Sequence, residues 1–546
     1  ASRNADRRVE LLLIHGNAAW SEDMETLRLA AIDEKSDNIA VAHSWFLPKK
    51  RSLLAPFAVG TVDQALMSVL QTKHFFVRLF GLSHKTVIFD EIHAYDTYMS
   101  TLFQQLLRWL AAANTTVILL SATLPQKTRQ KLIEAYTGRR VSRGGPYPAL
   151  FWATTTEDGF LPVATSATGT RTLAVEWTDR EPEAVVGALG RALEQGGCTA
   201  VLCNTVGRAQ DVFEALRAAD IVADKDLILF HARFPLNRRQ EIERQVLERF
   251  GKDGAPPERA IVVATQVIEQ SLDLDFDLMI TDMAPVDLVL QRAGRLHRHS
   301  GRERPQALAK PRLVITKPEM ENGLPKWGND GWVYAPYVLM RSYLTLRDTS
   351  SIAVPADVQA LIEAVYGETE DLAECLDAGW REALEKARAE LERKIEKEQY
   401  QARMILAPRP DDEDVLTADN RQLDEDNPEL HEAWRALTRL ARPNVTLVCL
   451  YQQAAGVSMD PEGEEIIDLN KRPEQKLAAE LARRVVSVSH YALVKHFLNQ
   501  DPPHGWRRHS MLRYYRAAVF AEGRCDAGDY WLILDPRLGL RIEKKE

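Results

Sequence analysis

The chain has 546 residues, 45% of them hydrophobic and 27% charged, with a formal net charge of −9. That length exceeds what one core sustains, so about three domains are expected in an ordinary globular composition. The negative balance excludes a protein that binds polyanions with its whole surface, so any nucleic-acid site must be a local patch. The five cysteines, Cys198, Cys203, Cys375, Cys449 and Cys525, are scattered and odd in number. They argue against a disulfide framework and for a reducing, cytoplasmic setting. No apolar run is long enough to span a membrane. The first residues, "ASRNADRRVE", do not form a signal peptide and read as the interior of a longer polypeptide.

From Val9 to about Gly138, strand-like and helix-like runs alternate: "VELLLIH", "VDQALMSVLQ", "KTVIFDE", "YMSTLFQQLLRWLAAA", "TTVILLSAT". This is the βαβ signature of a parallel sheet, and it defines a first block over 1–140. Residues 141–170 are rich in Gly, Pro, Ser and Thr and read as a linker. A second α/β block spans 171–318, with strands "TAVLCN", "LILFHA", "AIVVAT", "LMITD" and "RLVIT". From 319 to 430 helices dominate. They include "REALEKARAELERKIEKEQY", whose alternating charges read as a solvated face. An acidic loop at 411–429 holds nine acids against one arginine. Residues 431–546 read as a small α+β domain. The fold expected is α/β, with two tandem parallel-sheet domains, a helical linker and this C-terminal accessory domain.

In parallel sheets, ligands sit outside the carboxyl ends of strands. The strand "KTVIFDE" ends in Asp90 and Glu91. In phosphoryl-transfer sites the first acid of such a pair holds Mg²⁺, and the second polarises the attacking water. Ser121 and Thr123 end the strand "TVILLSAT" and are placed to hydrogen-bond those acids. In the second block, "QRAGRLHRH" places Arg292, Arg295 and Arg298 three residues apart after Gln291, on one face if a helix continues through them. Guanidinium groups suit phosphate because their planar fork binds oxygens bidentately. His297 and His299 lack further ligands at metal spacing, so a polar or phosphate contact is expected of them. In "ATQVIEQSLDLDFD", Thr265 and Gln266 are placed to meet a nucleic-acid backbone, and Asp273 to orient an arginine or accept from a ribose hydroxyl.

In order and wording these segments resemble the helicases of superfamily 2. "DEIH" resembles motif II, "SAT" motif III, "NTVGRAQ" motif IV, the Thr265 stretch motif V and "QRAGRLHR" motif VI. "VGTVDQAL", "FDEIHAYD" and "FHARFPLNRRQ" are similar to one family of that superfamily, the helicase–nuclease that is the signature protein of type I CRISPR systems. "GLPKWGNDGWVY" and "DYWLILDPRLGL" resemble its linker and accessory domain, so the likeness covers nearly the whole chain. The resemblance implies two RecA-like domains that bind ATP between them, with single-stranded DNA running across both.

By that resemblance Asp90 binds Mg²⁺ through ATP and Glu91 activates water, while Ser121 and Thr123 couple hydrolysis to motion. Gln291, Arg295 and Arg298 reach the γ-phosphate, with Arg292 in support and Asp273 near the ribose. Thr61, Asp63, Gln64, Asn204, Thr205, Thr265, Gln266 and, more weakly, Arg233 contact DNA. The family's histidine–aspartate nuclease domain, with its own divalent metals, and its GxGK[ST] phosphate loop have no counterpart in these residues. The chain is therefore expected to be the C-terminal part of a longer polypeptide, inactive alone, with that N-terminal portion and a crRNA-guided surveillance complex as partners.

The stretch 481–516 holds seven Lys or Arg and one acid, interleaved with aromatics. Arg507, Arg508 and Arg513 are expected to grip phosphates, and Trp506 or Tyr514 to stack on bases. Two other functions fit parts of the sequence: a general DExH helicase for RNA or DNA repair, and a non-enzymatic module that binds nucleic acid through the basic tail.

Overall fold

The computed structural model describes residues 12–14, 52–71, 75–141, 144–164, 170–269, 272–367, 376–412, 438, 444–509 and 511–545. Cys375, nearly all of the acidic stretch and all but three residues of the first expected strand lie outside the described residues. Contacts group the chain into two units. One comprises Ala1–Gly145, Ala149–Pro162 and Glu392–Ala441; the other comprises Pro146–Pro148, Val163–Leu391 and Arg442–Glu546.

In the first unit, β1 (Leu12–Ile14) pairs in parallel with β2 (Ala58–Gly60), and β3 (Thr86–Phe89) in parallel with β4 (Thr116–Leu119). The crossover from β3 to β4 is the Thr97–Ala112 helix. Asp96 caps its first turn by accepting from the Met99 amide at 2.8 Å. The cap satisfies an amide that a helix start leaves orphaned, which stabilises by about 1 kcal/mol. Leu102, Phe103, Leu106 and Leu110 recur at helical spacing on the buried side of this helix and pack with Phe89 and Leu79. Residues 149–162, inside the expected linker, form the antiparallel hairpin β5 (Ala149–Ala153) and β6 (Asp158–Pro162).

The second unit is built on a seven-stranded sheet in the order β15-β7-β12-β11-β8-β10-β9. The five expected strands are β8 (Gly197–Leu202), β9 (Leu227–Phe230), β10 (Arg259–Ala264), β11 (Leu278–Asp282) and β12 (Arg312–Thr316). All five are parallel, and the central ones are apolar on both faces because helices cover both sides. Two strands join that the sequence reading did not place. β7 (Arg171–Thr178) pairs in parallel with β12, and β15 (Ser351–Val354) closes the edge antiparallel to β7. Between β12 and β15 lie a short hairpin of β13 (Glu319–Glu321) with β14 (Leu324–Lys326), and the Pro336–Leu346 helix.

The last hundred residues fold as the expected α+β region. The long β16 (Val445–Gln453) is paired by β17 (Gly456–Ser458), β19 (Val485–Val488) and β20 (Arg516–Phe520). β18 (Ile466–Ile467) adds to β17, and a meander of β21 (Arg524–Ala527), β22 (Tyr530–Asp535) and β23 (Gly539–Lys544) follows. The four described cysteines are free and buried, and act as small core residues. Among the described residues no helix is long and apolar enough to cross a membrane.

Candidate active site

β3 delivers Asp90 and Glu91 to the rim of the first unit, and both are exposed. Asp90 turns back to accept the Glu91 amide at 2.9 Å. Glu91 sits in the left-handed region at φ 54°, which costs a side-chain-bearing residue about 1 kcal/mol or more. A 3₁₀ turn over Ile92–Ala94 follows and aims His93 at the neighbouring strand end. His93 Nε2 lies 3.3 Å from Glu91 Oε2, and Nδ1 lies 3.2 Å from Ser121 Oγ. Ser121 Oγ in turn donates to the Thr123 carbonyl at 3.2 Å. The expected contact between the hydroxyls and the acids is therefore corrected. An imidazole stands between Ser121 and Glu91, and Thr123 Oγ1 is buried with no hydrogen-bond partner among the described residues. His93 was missed as a site residue, although it follows the acids within "DEIH".

In the second unit the Val286–Ala293 helix stops at Gly294, so the three arginines do not share a helix face. They take three different environments. Arg292 is 1% exposed. Its Nε donates to Glu269 at 2.7 Å, its Nη1 to Thr281 Oγ1 at 2.6 Å, and its Nη2 to the Tyr334 hydroxyl at 3.3 Å. Burial alone would lower its pKa, but Glu269 raises it further, so the group stays charged inside the core. Arg292 is thus an internal tie rather than a surface contact. Arg295, half-buried, donates to the Glu269 carbonyl at 2.9 Å. Arg298 is exposed and donates from Nε to Asp273 at 2.5 Å. His299 Nε2 lies 3.1 Å from the same oxygen. Burial pushes the Asp273 carboxyl up, but the hydrogen bonds from His299 and Arg298 outweigh it and hold the pKa below the usual carboxylate range. Asp273 therefore pairs with the Arg298 guanidinium and the His299 ring. Gln291 Nε2 is buried without a hydrogen-bond partner among the described residues.

The helix stops because the segment after Gly294 is pulled onto the start of β11. Asp275 and Asp277, both nearly inaccessible, face Arg302 and Arg304. Asp275 Oδ1 also accepts the Arg298 amide at 2.7 Å. Alternate residues of "DLDFD" thus hold the Arg298 loop from below: Asp273 takes side chains, Asp275 a backbone amide and two guanidiniums. His297 lies 3.2 Å from the Asp277 carbonyl and belongs to this scaffold, so no phosphate role is carried forward for it.

The residues expected to meet DNA divide. Thr61 is exposed and precedes the short Val62–Leu66 helix, with Asp63 and Gln64 half-buried in it. Asp63 accepts from Thr438 Oγ1 at 3.0 Å. Thr205 caps the Val206–Ala218 helix by accepting the Arg208 amide at 3.4 Å. Asn204 is corrected: it is 2% exposed, and its side-chain amide donates to the Met283 carbonyl at 2.8 Å. The close approach of β8 and β11, whose Asp282 accepts the Asn204 amide at 3.0 Å, draws it inward. Thr265 is buried at the end of β10, while Gln266, half-buried, donates to the Asn204 carbonyl at 2.9 Å and to the Tyr334 hydroxyl at 3.0 Å. Arg233 follows the His231 turn, half-buried, and burial lowers its pKa.

In the C-terminal region Trp506 is corrected. It is 1% exposed and packs with Val448, Leu450 and Leu481, because an indole of that size completes a small core. It is closed to bases. Arg507 pairs with Asp501 at 2.9 Å, and Arg513 lies over the Tyr514 ring and donates to its hydroxyl at 2.8 Å. Arg508 is exposed with no partner among the described residues.

Among the described residues no group of three or more His, Cys, Asp or Glu could hold a metal by itself. An open carboxylate pair fits a Mg²⁺ that also takes oxygens from a nucleotide and water. A divalent ion there would supply Lewis acidity and charge neutralisation.

Two family models match. One, described as CRISPR-associated nuclease/helicase Cas3, C-terminal, covers residues 195–301; the other, the Cas3 C-terminal domain, covers 439–540. The CRISPR-associated endonuclease/helicase Cas3 of Thermus thermophilus is 37% identical over 98% of this chain, which spans 62% of that relative's length. The crystal structure of T. fusca Cas3-ATP matches with a TM-score of 0.81 at 32% identity, over 98% of this chain and 61% of that one. A chain of a CRISPR RNA-guided surveillance complex, pre-nicking, matches with a TM-score of 0.72 at 30% identity, over 97% of this chain and 64% of that one.

Proposed function

Because this chain is a CRISPR-associated superfamily 2 helicase sequence of the Cas3 kind, with the tandem RecA-like fold of those proteins, we propose that it is the ATP-driven motor part of a type I CRISPR helicase–nuclease. The observation that carries the proposal is the match to a Cas3 protein along 98% of the chain. The motor translocates on single-stranded DNA, is recruited by a crRNA-guided surveillance complex, and feeds the displaced strand to a nuclease domain outside these residues.

In this reading Asp90 holds Mg²⁺ with the nucleotide, and Glu91 polarises the water that attacks the γ-phosphate. Gln291, Arg295 and Arg298 neutralise charge as the terminal phosphate leaves, Asp273 fixes the angle of Arg298, and Ser121 reads the state of Glu91 through His93. Thr61, Gln64, Thr205 and Gln266 contact the DNA backbone, and Arg508 adds a phosphate contact. The T. fusca Cas3 structure with ATP supports nucleotide use, and the neighbour within a surveillance complex supports the partner.

The first unit presents an exposed apolar surface. Ile88 and Ile118, 60% and 41% exposed, form an apolar stripe on one face of the β3–β4 pair. Such a stripe suits further chain packed on it. The sequence holds no GxGK[ST] loop, so these 546 residues alone are expected to hydrolyse ATP negligibly.

The test is strand displacement by the full-length protein with Mg²⁺ and ATP. Displacement from a duplex with a single-stranded DNA overhang, and none when the overhang is RNA, is the expected result. Equal action on RNA would favour a general DExH helicase instead.

A further inference from the structure

Four residues of the second unit form one connected chain of hydrogen bonds through a fifth, Tyr334, which lies outside motifs II to VI at the end of "GLPKWGNDGWVY". Gln266 Nε2 donates to the Tyr334 hydroxyl at 3.0 Å, and Arg292 Nη2 donates to the same oxygen at 3.3 Å. Arg292 Nε then donates to Glu269 Oε1 at 2.7 Å, and Arg295 Nη2 to the Glu269 carbonyl at 2.9 Å. One phenolic oxygen therefore joins a proposed DNA contact to the loop of proposed phosphate-binding arginines. Glu269 also closes the 3₁₀ turn that begins at Gln266, its amide donating to the Gln266 carbonyl at 3.0 Å. Gln266 is thus tied to Glu269 twice, along the backbone and through the hydroxyl and Arg292.

Tyr334 comes from the linker, directly after the Asp330–Val333 turn. Arg180 anchors that turn through two hydrogen bonds to Asp330, at 2.5 and 3.0 Å. The Tyr334 ring packs against the core of the second unit, so its hydroxyl is held in place from both sides. A fixed acceptor shared by two donors can favour one arrangement of both, which is what coupling between two ligands requires.

We propose that Tyr334 is a positioning residue that couples single-stranded DNA at Gln266 to nucleotide at Arg295. The coupling rests on the functional reading above. It operates as a binding linkage: DNA that engages Gln266 changes nucleotide affinity, and nucleotide changes DNA affinity by the same factor.

The experiment measures the affinity of the full-length protein for a single-stranded oligothymidine, with and without a non-hydrolysable ATP analogue. It is done below the melting temperature of each variant. In the wild type the two affinities differ by a factor within the roughly 5–150-fold range of typical coupling. Tyr334→Phe keeps the ring and its packing and removes only the shared acceptor. It brings the ratio to within about twofold of one, leaving affinity without the analogue near the wild-type value. A ratio equal to that of the wild type overturns the relay, and so does a loss of stability with the ratio intact. Gln266→Met distinguishes the two layers: if it binds oligothymidine as tightly as the wild type, the DNA reading falls and the relay with it.

Discussion

Arg298 and Arg292 show how residues of one motif part company. Both were expected on one helix face, yet Arg292 is sealed in the core and Arg298 stands at the surface on Asp273. An exposed guanidinium held by a single carboxylate can exchange that partner for a phosphate; one bound on several sides inside a core cannot. Arg298→Ala and Arg295→Ala are therefore expected to lower kcat for ATP by about 10³-fold or more in the full-length protein, with DNA affinity within about twofold. Steady-state phosphate release and a DNA-binding titration measure both. A variant that hydrolyses ATP at the normal rate shows that its residue is no phosphate ligand.

His231 gives a pH prediction at the same scale. Its ring is inaccessible: Nε2 lies 3.1 Å from the Leu538 carbonyl, and Nδ1 accepts the Arg233 amide at 3.1 Å. Only the neutral tautomer satisfies both contacts. Burial and the neighbouring Arg233 charge push its pKa down to about 3. The unfolded chain binds a proton below about pH 6.5 and the folded chain does not, so this stability is complete above that pH and is lost as pH falls toward 3. The expected loss is about 1.4 kcal/mol at pH 5.5. His231→Gln should flatten that part of the stability profile in denaturant melts; an unchanged slope would contradict the assignment.

At the scale of elements, the alternating acids before β11 decide where an arginine loop sits. Asp275 and Asp277 hold Arg302 and Arg304 within the core, and Asp275 also fixes the Arg298 amide. Removing one member of such a cluster strands the others. Asp275→Ala is therefore expected to destabilise by about 3–5 kcal/mol, whereas half-exposed Asp273→Ala should leave melting nearly unchanged and lower ATP turnover. Calorimetry beside phosphate release separates the two, and an Asp275→Ala protein with normal melting would remove the clamp from the account. The basic tail gives a second test. Reversing the charge of Arg508 should reduce the salt slope of single-strand binding by about 0.7, with smaller effects from Arg507 and Arg513, which have local partners. A slope that does not move leaves the tail as a domain surface.

The central strands of the second unit were legible because continuous apolar runs have few other uses in a chain of this composition. β7 and β15 were not. β7, "RTLAVEWT", mixes polar residues into the strand next to the edge, and β15 pairs with it from some 180 residues away, which no local pattern reveals. Among the proposed site residues, Asp90, Glu91, Gln291 and Arg298 stand out in the sequence because strand ends and spacing mark them. The inward turns of Asn204, Arg292 and Trp506 depend on partners brought by other elements. His93, Glu269 and Tyr334 matter only once β3 is set beside β4, or the linker beside the Gln266 turn.

For the whole molecule, a net charge of −9 sits beside a C-terminal stretch with seven basic residues, so any phosphate contact must be made by a local patch. The chain spans about 62% of the Thermus thermophilus relative, and its β3–β4 face carries an uncovered apolar stripe. Both observations bear on the central claim, that Asp90, Glu91, Gln291, Arg295 and Arg298 form part of a DNA-driven ATP hydrolase completed by further chain. Phosphate release in the presence of Mg²⁺ and single-stranded DNA, compared between the full-length protein and these 546 residues alone, tests it most directly. The account predicts DNA-stimulated turnover from the full-length protein, abolished by Glu91→Gln, and negligible turnover from the isolated chain. Robust hydrolysis by the isolated chain, or full-length turnover indifferent to DNA and to Glu91→Gln, would contradict it.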